Sequence, residues 1–448
     1  MKRQFLSAVA ALALMGCTQP DAETPGDVAT PTDSAAVETA PPVVRAPGDD
    51  ALRASIAMDY TDNLQALYEH FHANPELSLM EVETAARLAA ELRALGYEVT
   101  EGVGGTGLVA VLPNGEGPTV MMRADMDALP LEEHTDVAYA STVTGIDRRG
   151  LESHVMHACA HDTHMTALVG TARQMMERRD DWSGTLVLIG QPAEEIGLGA
   201  GMMIEDGLFQ RFPGYAMANV DSVDISVHGR GGHGAYPHAT KDPVYLSAQI
   251  IVALQSLVSR ELSPLDPGVI TVGAIHAGTK HNIISDGAHL QLTVRSYTDE
   301  VREHLLTGIE RIAHAQAASY GLTPEEYPDV EVELPYTPAM YNDPNLTARA
   351  VSAMRARFGN SAVTEAEPVM GGEDFAQYHR TEAAIPSFMF WVGGTTQERL
   401  DDFAARGVPA PSNHSPLFAP DDPQTSITMA IEASTAVAMD LLARPTEG

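Results

Sequence analysis

Apolar residues recur along this chain with two periods. Over residues 60–72 and 80–95 they fall three and four apart, the spacing of a helix with one buried face. Asn74-Pro75 ends the first helix, because a residue before proline is pushed out of the helical region. Gly96 stops the second. Short apolar runs at 107–112 and 119–122 flank Pro113-Asn114-Gly115 and predict two strands around a turn. Residues 165–176 are apolar and rich in small side chains, and read as a helix. Residues 185–189 form the unbroken apolar run of a buried strand. Strands alternating with helices predict a parallel α/β sheet, which binds its ligands beyond the carboxyl ends of the strands.

From about Asp221 the pattern changes. A strand at 223–227, a helix at 242–260, strands at 269–275 and 289–296, a helix at 299–320 and a strand at 330–334 follow one another. This βαββαβ order is the split unit of ferredoxin-like domains. The α/β pattern then resumes with a helix at 345–358, a strand at 387–392 and a helix at 426–442. The expected fold class is α/β: one domain in two parts, 51–220 and 335–448, with a second domain inserted over 221–334.

The amino terminus has a different character. Lys2 and Arg3 precede an apolar run over 5–15 that is too short to span a bilayer. Leu14-Met15-Gly16-Cys17 resembles a bacterial lipobox, so residues 1–17 read as a lipoprotein leader with Cys17 as the lipidated residue. An ordinary signal peptide with an incidental cysteine is the alternative. Thr18 stands where an Asp would signal inner-membrane retention. The expected location is the cell envelope of a Gram-negative bacterium, at the outer membrane facing the periplasm, with the lipid as sole membrane contact. Residues 18–50, rich in Pro, Ala, Thr and Asp, read as a disordered tether.

A net charge of -34 excludes nucleic acid as a partner, since that needs a basic footprint. It leaves the substrate open. The chain has two cysteines, and if Cys17 is acylated, Cys159 has no disulfide partner within the chain.

Cys159 lies in the densest cluster of metal-binding side chains, His157-Ala158-Cys159-Ala160-His161-Asp162-Thr163-His164. Thiolate and neutral imidazole are the ligands that borderline-soft ions such as zinc prefer. A buried structural cysteine beside surface histidines is the alternative, and the acidic cluster downstream favours metal. That cluster, Gln191-Pro192-Ala193-Glu194-Glu195, follows the buried strand. Neighbouring side chains on extended backbone point apart, so one carboxylate can hold metal while the other moves a proton. A solvated acidic turn is the alternative for the pair taken alone. The chain has no G-x-S-x-G elbow, which argues against a serine hydrolase.

HACAHDTH, QPAEE, GRGGHGAYPH, VMGGEDF and NHSPLF occur in this order. Together they resemble the aminoacylase/carboxypeptidase family of co-catalytic metallopeptidases, in the subgroup of hippurate hydrolase, N-acetyl-diaminopimelate deacetylase and indole-3-acetyl-amino-acid hydrolase. The resemblance spans about residues 55–445. It implies a zinc-peptidase-like catalytic domain, a ferredoxin-like lid that pairs two subunits into a homodimer, and two divalent ions, zinc or manganese. It implies hydrolysis of the amide bond of N-acyl amino acids or small peptides. By the resemblance, Cys159, His161, Glu195 and His414 are metal ligands, with the Cys159 thiolate shared between the ions. Glu194 is the general base, His233 stabilises the oxyanion, and Asp127 orients its neighbours. Asn282, Arg295, Gly371 and Gly372 bind substrate. Ala160 replaces the glycine usual between the first two ligands.

One departure stands out. The family carries a strand ending in Gly-x-His between the helix of MIEDGLF and the lid, and its histidine is a further ligand. Here Met203–Phe209 is followed by Gln210-Arg211-Phe212-Pro213-Gly214 and then Tyr215, with no histidine between His164 and His228. The shortfall predicts an incomplete second ion site and sheet edges left unpaired. It leaves a second reading: a catalytically impaired member acting as a binding or scaffold protein.

Overall fold

The structure is a computed structural model and describes residues 10–16, 49–147, 150–206, 208, 219–364, 366, 369–381 and 386–444. The chain divides into two compact units. One comprises Met1–Tyr215, Asn342–Glu367 and Thr381–Gly448; the other comprises Ala216–Tyr341 and Pro368–Arg380. Cys17 and the segment 209–218 lie outside the described residues, as does most of the expected tether.

The first unit opens with strand β1 (Ala10–Gly16). Helix α1 (Asp49–Asp59) passes through a π turn (Tyr60–Leu64) into α2 (Gln65–Ala73), so the first helix begins well before residue 60. Helix α3 (Val82–Ala94) ends at Gly96, whose φ of +89° lies in the left-handed region that glycine enters freely. Strands β2 (Glu98–Val103), β3 (Gly107–Asn114) and β4 (Thr119–Asp125) follow, then the short hairpin of β5 (Thr144–Ile146) and β6 (Glu152–His154). Helix α4 (His161–Glu177) leads to β7 (Gly184–Gln191) and α5 (Gly199–Glu205).

The second unit contains β8 (Asn219–His228), β9 (Gly232–His233), α6 (Pro243–Ser256), β10 (Gly268–Ala277), β11 (Ile283–Ile284), β12 (Gly287–Ser296), α7 (Asp299–Ser319) and β13 (Asp329–Val332). Its antiparallel sheet runs β10-β12-β8-β13, and with α6 and α7 it forms a βαββαβ unit. Asp242 and Thr298 accept backbone N–H groups of the first turns of α6 and α7, which fixes where each helix starts. Val223, Ile225 and Val227 alternate with polar residues along β8 and bury one face with Leu246, Ile250, Leu305 and Ile309.

The chain then completes the first unit with α8 (Pro344–Phe358), β14 (Ser387–Val392), α9 (Gln397–Arg406) and α10 (Pro423–Leu441). The sheet order is β14-β1-β4-β7-β3-β2. Strands β4 and β7 are parallel, while β3 is antiparallel to both β7 and β2. The sheet is therefore mixed, not parallel throughout. The turn after β3 reverses the chain, but β7 then inserts between β3 and β4. β1 lies antiparallel to both β14 and β4, so the inner edges of those two strands are paired. Helix α4 is almost wholly buried. Gly170 lets it approach α10: a Cβ there would lie 2.3 Å from Ile431 Cδ1 and 2.9 Å from Leu64 Cδ1.

Candidate metal centre

Strands β4 and β7 run out side by side, with Asp125 opposite Gln191. Just past the two ends sit Asp127 and the pair Glu194–Glu195. The fully buried Asp127 carboxylate accepts the backbone N–H of Glu194 and of Glu195, each at 3.1 Å, and the Ser78 hydroxyl at 2.6 Å. One side chain thus holds the turn from which both glutamates project.

His161, the first residue of α4, places Nδ1 2.7 Å from the backbone carbonyl of Asp127. A carbonyl only accepts, so Nδ1 carries the proton and Nε2 is left to bind. Nε2 lies 3.5 Å from Asp125 Oδ2, 3.8 Å from Glu194 Oε2 and 3.9 Å from Glu195 Oε1. His414 arrives from a distant loop, held by its own N–H donating to the Ala158 carbonyl at 2.8 Å; its Nε2 is 3.3 Å from Glu195 Oε2. Asn413 places its amide nitrogen 3.4 Å from Cys159 Sγ.

Among the described residues of the first unit, three groups of donors result. Cys159, Glu195 and His414 each offer one atom within 4.8 Å of the others; so do His161, Glu194 and Glu195, and so do Asp125, His161 and His164. Glu195 is common to the first two. Burial, then the Glu195 carboxylate, pushes the Cys159 thiol up to about 11, against the pull of His161. Such a thiol ionises when a cation lies beside it. Thiol, imidazoles and buried carboxylates converging at strand ends fit a divalent ion.

Asp125 and His164 are not singled out by sequence, although His164 closes the quoted run from His157. His164 is three residues beyond His161 on α4, so both rings share a face, 5.5 Å apart. His164 Nδ1 is 2.5 Å from Asp125 Oδ1, and Arg123 donates to Asp125 Oδ2 at 2.8 Å. Burial alone would raise Asp125, but His161, His164 and Arg123 hold its carboxyl below the ordinary range. His157 is buried as well, and burial lowers it to about 4; neither ring nitrogen has a hydrogen-bond partner among the described residues. Behind the site, His72 lies between Asp162 at 2.6 Å and Glu133 at 2.9 Å, all three side chains buried.

The backbone at the site is unusual. Ala160, Ala193 and His414 have φ of 65°, 52° and 64°. Ala160 thus adopts the left-handed conformation that glycine enters freely, while its side chain packs on Phe418.

The remaining candidates lie in the second unit. His233 is exposed on β9, opposite Ile283 of β11, and its Nδ1 accepts the Ala235 N–H at 3.1 Å. Asn282 adjoins it: its carbonyl accepts the Gly234 N–H at 2.9 Å. Arg295 is half-buried and donates to the Met370 carbonyl at 2.7 Å, next to Gly371 and Gly372. A Cβ on Gly372 would lie 2.2 Å from Val220 Cγ2, so the close approach of this loop to β8 requires a glycine. The five therefore form two clusters, His233 with Asn282 and Arg295 with the Gly371–Gly372 loop.

A mixed α/β sheet that gathers a thiol, histidines and carboxylates beyond its central strands is the framework of a metal-dependent hydrolase. The sequence matches the profile of peptidase family M20/M25/M40 over residues 121–403. The chain belongs to this family. It is 38% identical over 375 residues to thermostable carboxypeptidase 2 of Saccharolobus solfataricus, covering 78% of this chain and 88% of the relative. It is 34% identical over 359 residues to the hippurate hydrolase of Campylobacter jejuni, covering 74% and 89%. A crystal structure of a dinuclear metal-binding peptidase of the M20 family from Bacillus subtilis superposes with a TM-score of 0.64 at 28% identity, covering 88% of this chain and 99% of the other.

Proposed function

We propose that this chain hydrolyses the amide bond of N-acyl amino acids or small peptides. The observation that carries the reading is the division of the adjacent glutamates. Both hang from Asp127 and both reach His161, yet of the two Glu195 also joins the group of Cys159 and His414. Two divalent cations, zinc or manganese, would polarise the amide carbonyl and acidify water there. Cys159, His161, Glu195 and His414 hold them, and the Asp125–His164 pair makes up the ligand shortfall left by the missing Gly-x-His. Glu194 takes a proton from water and returns it to the leaving nitrogen. His233 steadies the developing oxyanion, and Asn282, Arg295, Gly371 and Gly372 position the substrate. The relatives' activities on peptides and on hippurate support this substrate class. The remaining proposals are pairing of two chains through the βαββαβ unit and anchoring at the outer membrane, facing the periplasm, through lipid on Cys17.

The test is a hydrolysis screen of N-acyl amino acids and dipeptides with zinc or manganese, on wild type, Glu194→Gln and Glu195→Gln. Glu194→Gln is expected to keep its metal and lose about 10²–10⁴-fold in turnover, the usual worth of a general base. Glu195→Gln is expected to lose metal. Equal metal loss in both variants, or a wild type with bound metal and no turnover on any substrate, would overturn the reading.

A further inference from the structure

Residues 76–81, between α2 and α3, reach the continuations of both central strands. On the β4 side, the Glu76 carbonyl accepts the Ala128 N–H at 2.8 Å, and Leu77 forms a parallel bridge with Ala128. Ser78 donates to the Asp127 carboxylate at 2.6 Å. On the β7 side, Glu81 Oε1 accepts the Ala193 N–H at 2.9 Å. That N–H immediately precedes the two that Asp127 accepts. Two fully buried carboxylates therefore take the three consecutive N–H groups of residues 193–195.

Glu81 does not serve the helix it begins. It is the N-cap residue of α3, where a side-chain oxygen ordinarily accepts an N–H of the first turn, and it makes no such bond. Glu76 caps the helix in its place, accepting the Thr84 N–H at 2.8 Å and the Glu83 N–H at 3.3 Å. The Thr106 hydroxyl holds the other oxygen of Glu81, Oε2, at 2.5 Å.

The backbone that Glu81 holds is strained. Leu79 and Ala193 have φ of 70° and 52°, in the left-handed region that a Cβ disfavours. Both donate their N–H to the same atom, Glu81 Oε1, each at 2.9 Å. Residues in such conformations persist where their surroundings fix them. Ala193 directly precedes Glu194, so its dihedral angles set the course on which the turn carries both glutamates.

We infer that Glu81 is a positioning residue for the amide hydrolysis: through the Ala193 N–H it holds the strained turn that presents Glu194 and Glu195. The inference rests on the proposed reaction, with Glu194 as the base. Glu81 acts through the backbone and not on the reacting atoms.

The experiment measures turnover at saturating manganese on the fastest N-acyl amino acid of the hydrolysis screen, hippurate included. Thermal melting confirms that each chain is folded at the assay temperature. Glu81→Ala should lower kcat by about 10²-fold, the scale of a misplacement of about 1 Å, and leave KM within about threefold of wild type. Glu81→Gln should recover most of that loss. Its amide oxygen can accept both N–H groups while its NH2 donates to the Thr106 hydroxyl, which serves as donor or acceptor. Adding Ala193→Gly to Glu81→Ala should recover part of the loss, because glycine enters the left-handed region unaided. Adding Glu81→Ala to Glu194→Gln should cost less than about threefold, since groups that act as a unit are not additive. A similar loss of about 10²-fold in both backgrounds would show a structural role alone and overturns the inference. So does wild-type kcat in Glu81→Ala. Because Glu81→Ala empties a buried position and could fail to fold, Glu81→Asp is measured beside it. Asp keeps the charge but shortens the reach, so it should lose more turnover than the isosteric Gln; equal kcat in those two overturns the inference. Wild-type turnover in Glu194→Gln is a separate failure, that of the proposed base, and removes the inference with it.

Discussion

His72 Nδ1 lies 2.6 Å from Asp162 Oδ2, one residue past His161, with the His72 ring wholly enclosed. Burial works against a charged ring, but hydrogen bonds to Asp162 and Glu133 outweigh it and raise His72 from 6.5 to about 10. A group whose pKa rises on folding adds stability that is fully present below its unfolded value and is lost as pH climbs through the folded one. The window is therefore pH 6.5 to about 10. Melting of the metal-stripped protein should weaken across it. His72→Gln should cost about 3–5 kcal/mol at the low end, as for breaking a buried pair, and progressively less toward the high end. A difference that does not change with pH would show that His72 is neutral.

Asp127 accepts two backbone N–H groups and a hydroxyl, and Asn can replace only part of that. Asp127→Asn should cost about 1–3 kcal/mol, because one buried donor loses its acceptor. Turnover should fall by about 10²-fold through misplacement of the glutamates. Equal kcat in variant and wild type would remove Asp127 from the orienting role.

The donor groups predict different losses of metal. Cys159→Ser should lower metal content and activity together, through the group it forms with Glu195 and His414. His164→Ala should weaken one ion and leave the other, through the group it forms with Asp125 and His161. Metal analysis after dialysis decides both. Unchanged stoichiometry in His164→Ala would leave the second site with fewer ligands than a catalytic zinc usually has, about three.

Gly372→Ala drives a methyl into Val220. Overpacking of this kind costs about 1–3 kcal/mol. Val220→Ala in the same chain should recover most of it, which a double-mutant cycle in urea would measure. Additive losses would mean that the loop moves away instead.

Ala160→Gly sets three effects against one another. Relief of the left-handed backbone is worth about 1–2 kcal/mol. Against it stand the freer unfolded chain, about 0.4–1 kcal/mol, and the lost methyl contact with Phe418, about 0.8 kcal/mol. The sum is near zero, so the melting temperature should stay within about 3 °C of wild type.

The helices and interior strands were legible because burial on one face or both imposes a period. Residues 387–392 and the βαββαβ order follow from that pattern, and the structure has both. What pattern could not show was which strand pairs with which. Strand β7 sits between β3 and β4, and β1 comes from residues that read as a leader. Helix α9 was missed because it buries none of its residues and carries few apolar side chains. Cys159, Glu194, Glu195 and His414 were found through motifs. Asp125 and His164 were passed over because each finds its partners only where the end of β4 meets the start of α4. His72 and Glu133 carry no motif; only folding reveals that they enclose Asp162.

The parallel pairing of β4 with β7 acts as a ruler with the site at its end. Asp127 belongs to one strand's continuation and the two glutamates to the other's, and the ladder from Thr119↔Thr185 to Asp125↔Gln191 sets the offset at which the Asp127 carboxylate meets their N–H groups. A slip of one residue would displace Asp127 by about 3.3 Å and turn its side chain to the opposite face. Sequence changes deep in these strands therefore divide into two kinds. Those that alter volume change stability, whereas those that alter alignment disable the chemistry while every candidate ligand is still present in the sequence.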